Sequence, residues 1–103
     1  MAYTRGFRNP KSLADHYQDH FLLLRIGTIV EYGKRADAFV GGPKKFGTFE
    51  CKRRCGHRLR YNVITKEFGI LDQSGIILTY FIPERQYTGK YCNLCYFHSE
   101  CGK

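Results

Sequence analysis

The sequence lacks any apolar run that is long enough to cross a membrane. The apolar stretch at residues 21–24 is ended by Arg25, whereas a membrane-spanning helix needs roughly 18 consecutive apolar residues. The basic segment at residues 1–11 is followed by no apolar core of an export signal. We therefore expect no membrane insertion, and we expect any secretion to depend on another route, such as attachment to a larger delivery protein.

Three catalytic signatures are also missing. The chain has no glycine-rich phosphate loop, no cluster of carboxylates that could hold catalytic magnesium and no serine elbow. These absences disfavour nucleotide hydrolysis and metal-dependent nuclease chemistry. With 103 residues and no internal repeat, low-complexity tract or linker, the chain is expected to form one domain with one hydrophobic core.

Acidic residues are scarce, and the basic excess is concentrated in one segment. Nine Asp and Glu stand against seventeen Lys and Arg, which gives a formal net charge of +8, and residues 34–60 hold nine basic residues against two acidic ones. Such a field attracts polyanions, and nucleic acid is favoured over acidic lipid because no amphipathic lipid-facing helix accompanies it. The alternative is a solvated basic surface. The expected RNA contacts are Lys44, Lys45, Lys52, Arg53, Arg54, Arg58 and Arg60.

Apolar periodicity predicts two helices in the first part of the chain. The first begins after Ser12, and three- and four-residue spacing gives it an apolar stripe of Leu13, Tyr17, Phe21 and Leu24. Thr28 followed by Glu31 is the signature of a capping box, so a second helix is expected to start there. This helix should end at the Gly-Gly-Pro sequence of residues 41–43.

Aromatic and β-branched segments separated by turn residues then predict an antiparallel sheet. Strands are expected at residues 47–52, 58–64, 68–71 and 76–82, with a tight turn at 72–75. In the second strand apolar and polar residues alternate, so one face should enter the core while Arg58 and Arg60 on the other face a ligand. The last strand is apolar on both faces, which predicts a central position. Residues 91–101 are expected to form a short helix.

The predicted fold is therefore α+β, with two N-terminal helices packed on a four-stranded antiparallel sheet and a short C-terminal helix. Residues 1–11 are interpreted as a flexible basic N-terminus and residues 12–103 as the folded domain.

Two histidines lie one turn apart on the first predicted helix. His16 and His20 are four residues apart, so their imidazoles are expected on the same side of the helix, beside the apolar stripe. An imidazole near its unperturbed pKa of about 6.5 can take and give protons at neutral pH, as RNA cleavage without a metal requires. The alternative is a surface helix that carries two histidines with no catalytic role.

The five cysteines allow three interpretations. Cys51, Cys55, Cys92 and Cys95 form two close pairs that resemble the half-sites of a structural zinc centre, with His57, His98 and Cys101 as spare ligands. Disulfides are the second interpretation, although an odd number leaves one thiol over. Ordinary unpaired thiols are the third. We expect the cysteines to connect the sheet to the C-terminal segment, and none has a base beside it that would mark it as a nucleophile.

Several segments together resemble a known group of toxins. Residues 61–71 and 75–83 read YNVITKEFGIL and GIILTYFIP, and they resemble the C-terminal toxin domains of bacterial polymorphic and contact-dependent inhibition systems. Those domains belong to the ribonuclease group that includes barnase, EndoU, colicin nucleases and RelE. The resemblance extends to the His-x-x-x-His run at His16 and His20, to the helix at residues 31–39 and to the ending at residues 93–101.

The resemblance implies an α+β domain in which N-terminal helices pack on a four-stranded antiparallel sheet whose exposed face cleaves RNA, often tRNA. It also implies action in the cytoplasm of a target bacterial cell and a cognate immunity protein that blocks the toxin. His16 and His20 match the helix histidines, and Thr79 and Tyr80 match the Thr-Tyr pair of the last strand. The chain departs from the pattern at Leu78, where similar domains tend to have a basic residue, and in its paired cysteines.

Three functional hypotheses result. The first is a monomeric, metal-independent endoribonuclease that leaves a 2′,3′-cyclic phosphate. His16 and His20 are its acid and base, Thr79 and Tyr80 orient the phosphate, and Arg58 and Arg60 counter its charge. Its catalysis needs no cofactor, although structural zinc is compatible with it. The second is a non-catalytic, zinc-stapled module that binds nucleic acid through residues 34–60. The third is an inhibitory factor whose basic face binds an acidic protein.

Overall fold

The structure is a computed structural model that describes residues 3–9, 11, 13–15, 28–83 and 93–103. A four-stranded antiparallel sheet has helices on both of its faces, which confirms the predicted α+β fold class. Within the described residues the elements are α1 (Ile29–Gly41), β1 (Thr48–Lys52), β2 (Arg58–Asn62), β3 (Phe68–Leu71), β4 (Ile77–Phe81) and α2 (Asn93–Cys101). Residues 11 and 13–15 are helical, at the start of the first predicted helix. The rest of that helix, including His16 and His20, lies outside the described residues.

Helix α1 begins and ends where the sequence predicts. The Thr28 side chain accepts a hydrogen bond from the Glu31 amide at 3.1 Å, so it satisfies one of the free N–H groups at the start of the helix. At the other end the Gly42 amide donates to the Ala38 carbonyl at 3.0 Å, and Pro43 then prevents the helix from continuing. One side of α1 is buried against the sheet, with Tyr32, Ala36, Phe39 and Val40 on it.

The sheet is a meander in the order β1-β2-β3-β4, and the predicted strands agree with the structure to within two residues. The turn at residues 72–75 is also confirmed. There the Asp72 carboxylate accepts hydrogen bonds from the amides of Ser74 and Ile76, each at 2.9 Å, and Gly75 adopts a φ of +91° that favours glycine.

Each face of the sheet packs against a different helix. We call the face that packs on α1 the α1 face and the face that packs on α2 the α2 face. Each face has its own apolar cluster. The α1-face cluster consists of Tyr32, Ala36, Phe39, Val40, Leu71, Ile77 and Tyr80. The α2-face cluster consists of Leu59, Tyr61, Phe68, Ile70, Phe81 and Phe97. The single core that the sequence predicts is therefore two clusters with the sheet between them.

The predicted central position of the last strand is wrong, because β4 is at the edge of the sheet. The strand is apolar on both sides since both sheet faces are covered there. Tyr80 belongs to the α1-face cluster, whereas Phe81 belongs to the α2-face cluster. Burial by helices on both faces therefore produces the same sequence pattern as a central position does.

Residues 3–9, within the segment that the sequence analysis interprets as a flexible N-terminus, pack against the domain. The Asp37 carboxylate accepts hydrogen bonds from the backbone amides of Tyr3 and Thr4, each at 2.8 Å. Beside the edge strand, the Gly6 carbonyl accepts a hydrogen bond from the Ile77 amide at 2.8 Å. Residues 3–9 thus cover part of the edge of β4, which would otherwise be open to pairing with other chains.

A glycine in β3 allows α1 to approach the sheet closely. A Cβ atom at Gly69 would lie 2.3 Å from a methyl carbon of Val40, which is far inside van der Waals contact. This close approach brings the C-terminal end of α1 next to β2.

Neither α1, with 13 residues, nor α2, with 9, is long enough to span a membrane, and no other helix of the described residues is either.

Candidate nucleic-acid interface

Basic side chains occupy the part of the α1 face that α1 leaves uncovered, on β1 and β2. Glu50 pairs with Arg60 across the two strands, and Lys52 pairs with Arg58, so all four residues share this face. The Glu50 carboxylate lies 2.7 Å from the Arg60 Nε, 3.7 Å from the Arg58 Nε and 3.9 Å from the Lys44 Nζ. One carboxylate cannot neutralise three cations, so this surface keeps a positive charge.

Arg60 is held inside the fold. Its side chain is only 6% exposed, and its guanidinium donates to the carbonyls of Phe39 at 3.1 Å and Gly42 at 2.6 Å as well as to Glu50. These two carbonyls lie at the end of α1, where the last carbonyls of a helix have no partner within it. Arg60 therefore fastens the helix to the sheet. The sequence predicted that it faces a ligand, and this placement does not fit that prediction, whereas Arg58 stays 41% exposed.

A buried carboxylate lies directly before β3. Glu67 is 2% exposed, and it accepts hydrogen bonds from the Lys45 Nζ and the Thr65 hydroxyl, each at 2.6 Å, and from the Tyr80 hydroxyl. The Arg35 guanidinium lies 4.0 Å away. Burial raises the pKa of Glu67, but hydrogen bonds from Lys45, Thr65 and Tyr80 outweigh it and hold the pKa below the usual value.

A cavity opens to solvent above Glu67. Its volume is about 200 Å³, and the charged groups at its wall are those of Arg35, Lys45 and Glu67. The Lys45 ammonium also lies 5.7 Å from the centre of the Phe39 ring, which favours a cation there. The remaining lining residues are Tyr3, Ala38, Phe39 and Pro43. Two cations around one carboxylate give the wall a net positive charge, which suits it to an anionic group such as a phosphate.

Thr79 and Tyr80 lie on opposite faces of the sheet. Thr79 pairs with Ile70 and shares the α2 face with it, whereas Tyr80 pairs with Gly69 on the α1 face. Their side chains therefore cannot both contact one phosphate, and the predicted shared role does not fit this register. Burial and the neighbouring Glu67 carboxylate raise the pKa of Tyr80, so its hydroxyl stays protonated and supports Glu67.

Of the remaining basic candidates, two are exposed and one is bonded within the protein. Lys52 and Arg54 are exposed. Arg53 is different, since its side chain is 11% exposed and donates to the Glu100 carboxylate at 3.0 Å and to the Glu100 carbonyl at 2.8 Å. Arg53 thus connects the loop after β1 to α2. Near the basic face and the cavity, the side chains of Arg35, Lys44, Lys45, Lys52, Arg54 and Arg58 are exposed enough to present charge to a ligand.

The cysteines do not assemble as the predicted zinc set. Cys51 forms a disulfide with Cys101, so it offers no thiolate to a metal, while Cys55 and Cys95 are exposed and Cys92 lies outside the described residues. No three His, Cys, Asp or Glu side chains of the described chain lie close enough together to hold a metal ion. The disulfide ties β1 to the end of α2, as the expected link between sheet and C-terminal segment requires.

Sequence reasoning missed Arg35 and Glu67. Both lie in segments that carry the resemblance, but nothing in those segments marks them as a pair. They are 32 positions apart in the chain, so only the packing of α1 on the sheet brings them together. Asn62 was also missed. It is fully buried, and its amide donates to the Phe46 carbonyl and the Thr48 hydroxyl, each at 2.9 Å, which fixes the loop before β1.

Comparison with known proteins does not identify a family. No protein-family model matches the sequence. No curated protein matches it significantly. The resemblance to ribonuclease toxin domains therefore stays a prediction, and the functional argument depends on the geometry of the basic face and the cavity.

Proposed function

We propose that this protein is a metal-independent endoribonuclease toxin that binds RNA on the α1 side of its sheet. The observation that carries the proposal is the cavity above Glu67, where Arg35 and Lys45 form a cationic wall beside the basic strands β1 and β2. An RNA backbone carries one negative charge at each phosphate, so a cationic cavity beside a cationic surface matches several successive phosphates.

The position of the first predicted helix supports this site. Leu13 is the first apolar residue of the stripe that precedes His16 and His20, and it packs against the α1-face cluster. Its methyl carbons lie near Gly33 of α1, within 3.6 Å of the place where a Cβ would be. Leu13 thus lies on the α1 side of the sheet, and the proposal places His16 and His20 on that side as well.

The proposed chemistry is a transesterification. One imidazole, of His16 or His20, removes the proton from the ribose 2′-hydroxyl, whose oxygen attacks the adjacent phosphorus. The bond from phosphorus to the 5′-oxygen breaks, the other imidazole protonates that oxygen, and a 2′,3′-cyclic phosphate remains. Arg35 and Lys45 counter the negative charge that develops on the phosphate oxygens. The metal-free route agrees with the absence of clustered carboxylates in the sequence.

The proposal includes the partners and the place of action that the resemblance implies. RNA, with tRNA as the leading candidate, is the substrate in the cytoplasm of a target cell. A cognate immunity protein with an acidic surface would cover the basic face, because opposite charges across an interface speed association and set specificity.

An RNA cleavage assay in EDTA tests the proposal. Wild-type protein should cleave total RNA, and His16→Ala and His20→Ala should each lose at least about 100-fold in rate, the lower end of what general acid–base catalysis contributes. His98→Ala is the matched control, because His98 is exposed on α2 and should be dispensable. RNA that stays intact with all proteins would reject the nuclease and leave a non-catalytic binder. Cleavage that survives in both variants would reject the assignment of the two histidines.

A further inference from the structure

We propose that the turn at residues 45–48 and the cavity beside it form a subsite for one nucleotide of single-stranded RNA. In this subsite the base stacks on the ring of Phe46, and the phosphate lies between Arg35 and Lys45. The inference rests on the proposed function, because it takes RNA as the ligand, and it adds the recognition of an unpaired base.

Phe46 is exposed on a turn whose backbone is held in place. Its side chain is 89% exposed, which is more than that of any other large apolar residue in the described part of the chain. The Thr48 amide donates to the Lys45 carbonyl at 3.1 Å, and Gly47 adopts a φ of +88°, which a turn of this kind requires at its third residue. Phe46 therefore occupies the second position of the turn.

The buried side chain of Asn62 fixes this turn to the sheet. Its amide nitrogen donates to the Phe46 carbonyl at 2.9 Å, and the Val63 amide donates to the Gly47 carbonyl at 3.0 Å. The backbone is thus fastened at two successive residues. With the backbone fixed, only the two side-chain torsions of Phe46 have to be ordered when a base stacks on its ring, so the entropy cost of stacking is small.

The cations beside Phe46 indicate what kind of ligand the ring contacts. Lys45 is the preceding residue, its side chain is 48% exposed, and Arg35 across the cavity is 39% exposed. Glu67 lies beneath them at 2% exposure, so it orients the two cations but offers little carboxylate surface to repel an anion. Lys45 lies at the cavity wall and directly precedes Phe46 in the turn, so a base on the ring and a phosphate in the cavity match one nucleotide.

Single-stranded RNA fits this arrangement better than a duplex. In a paired helix the faces of internal bases are stacked on one another, so no side chain can reach them without unstacking. Every base has a π-face, so the ring should tolerate all four bases and select for an unpaired position rather than for a sequence.

Binding to an uncleavable probe tests the subsite. The probe is a fluorescein-labelled, eight-nucleotide single strand with 2′-fluoro sugars, which has no 2′-hydroxyl to attack the phosphate, and affinity is read by fluorescence anisotropy. Phe46→Ala should weaken binding about tenfold, as expected for the loss of one base–aromatic stack, and Phe46→Trp should restore it. Affinity for a duplex of the same length should not change with either variant.

Phe49→Ala is the matched control for the aromatic ring. Phe49 is 50% exposed, but it pairs with Tyr61 and so lies on the α2 face, and its loss should leave affinity within about twofold. For the phosphate, Arg35→Gln should reduce the slope of log affinity against log salt by about 0.7, the contribution of one phosphate contact in a single strand. Lys103→Gln, which removes a cation bound to Glu100 on α2, should leave the slope unchanged.

Cleavage of unmodified RNA, measured in parallel, separates this inference from the proposed function. If wild-type protein cleaves RNA but Phe46→Ala binds the probe as tightly as wild type, the subsite is wrong and the nuclease stands. If wild-type protein does not cleave RNA yet Phe46→Ala weakens single-strand binding, the nuclease is wrong and the subsite stands. An equal loss of duplex affinity in Phe46→Ala would overturn the stacking role.

Discussion

The two faces of the sheet differ in what they bury. The α1 face holds Arg60, Asn62 and Glu67, which are the buried polar and charged residues among those described, and each is hydrogen-bonded. The α2 face buries an apolar cluster and carries the disulfide, whose two cysteines are half-buried. Polar groups that are buried and fully paired impose a defined geometry, whereas apolar contacts supply stabilisation without direction. Since both faces bury an apolar cluster, the comparison indicates that the α1 face adds a defined polar geometry and that the α2 face adds a covalent link.

The largest expected loss comes from removing the disulfide. The Cys51–Cys101 bond closes a sequence separation of 50 residues, so the double variant Cys51→Ala/Cys101→Ala should lose about 4 kcal/mol of unfolding free energy. Urea denaturation followed by circular dichroism measures this. Cys55→Ala, at an exposed cysteine outside the disulfide, should change stability by less than about 0.5 kcal/mol. Equal, small effects would show that the disulfide does not stabilise the fold.

On the α1 face, the arginine that fastens α1 should be the most sensitive position. Arg60→Met keeps the aliphatic stem but leaves the carbonyls of Phe39 and Gly42 without their donor, so we expect a loss of about 3 kcal/mol. Arg58→Met is the control, because Arg58 approaches the same carboxylate from a partly exposed position and should cost below about 1 kcal/mol. Similar losses for the two variants would contradict the structural role of Arg60.

Glu67→Gln should have a smaller effect that depends on pH. The folded state lowers the pKa of Glu67 below 4.5, so its ionised form stabilises the protein above that pH, and this stabilisation is lost as the pH falls through the folded-state pKa. At pH 7 the variant should be less stable by about 2 kcal/mol because hydrogen bonds to a charged group are lost. The difference from wild type, measured by urea denaturation, should shrink below about pH 4. A difference that does not vary with pH would contradict the charged state.

The smallest effect on stability is expected at Phe46, the residue proposed to stack on an RNA base. Phe46 is 89% exposed and Phe49 is 50% exposed, so replacing either with Ala should change the unfolding free energy by less than about 0.5 kcal/mol. Thermal unfolding checks both. A larger loss in Phe46→Ala would mean that the ring supports the fold, and its effect on RNA affinity would then not report on stacking.

Much of the fold could be predicted because its signals are local. Thr28 and Glu31 mark the start of α1, the Gly-Gly-Pro sequence marks its end, and the strands follow from runs of aromatic and β-branched residues bounded by turns. The edge position of β4 could not be predicted in the same way. An apolar strand shows only that both of its faces are buried. It does not show whether the strand has a hydrogen-bonded neighbour on one side or on both.

For the candidate site, the sequence predicted that basic residues form it but not which of them are exposed. The basic segment at residues 34–60 was evident from the sequence, but the separation of buried Arg60 from partly exposed Arg58 was not. Both arginines occupy the same strand face, two positions apart. The end of α1 lies over Arg60, whose guanidinium donates hydrogen bonds to the helix carbonyls. Arg58 makes no such bond and stays available to a ligand.

The sequence by itself determined the α+β class, most element boundaries and the strong positive charge, because capping, turn geometry and net charge depend on residues that are adjacent or simply counted. The tertiary structure alone decided that Cys51 pairs with Cys101, that Glu67 lies between Lys45 and Arg35, and that Thr79 and Tyr80 belong to opposite faces. These are contacts between distant parts of the chain. Their partners are selected by how helices and strands pack, and no local pattern encodes that choice.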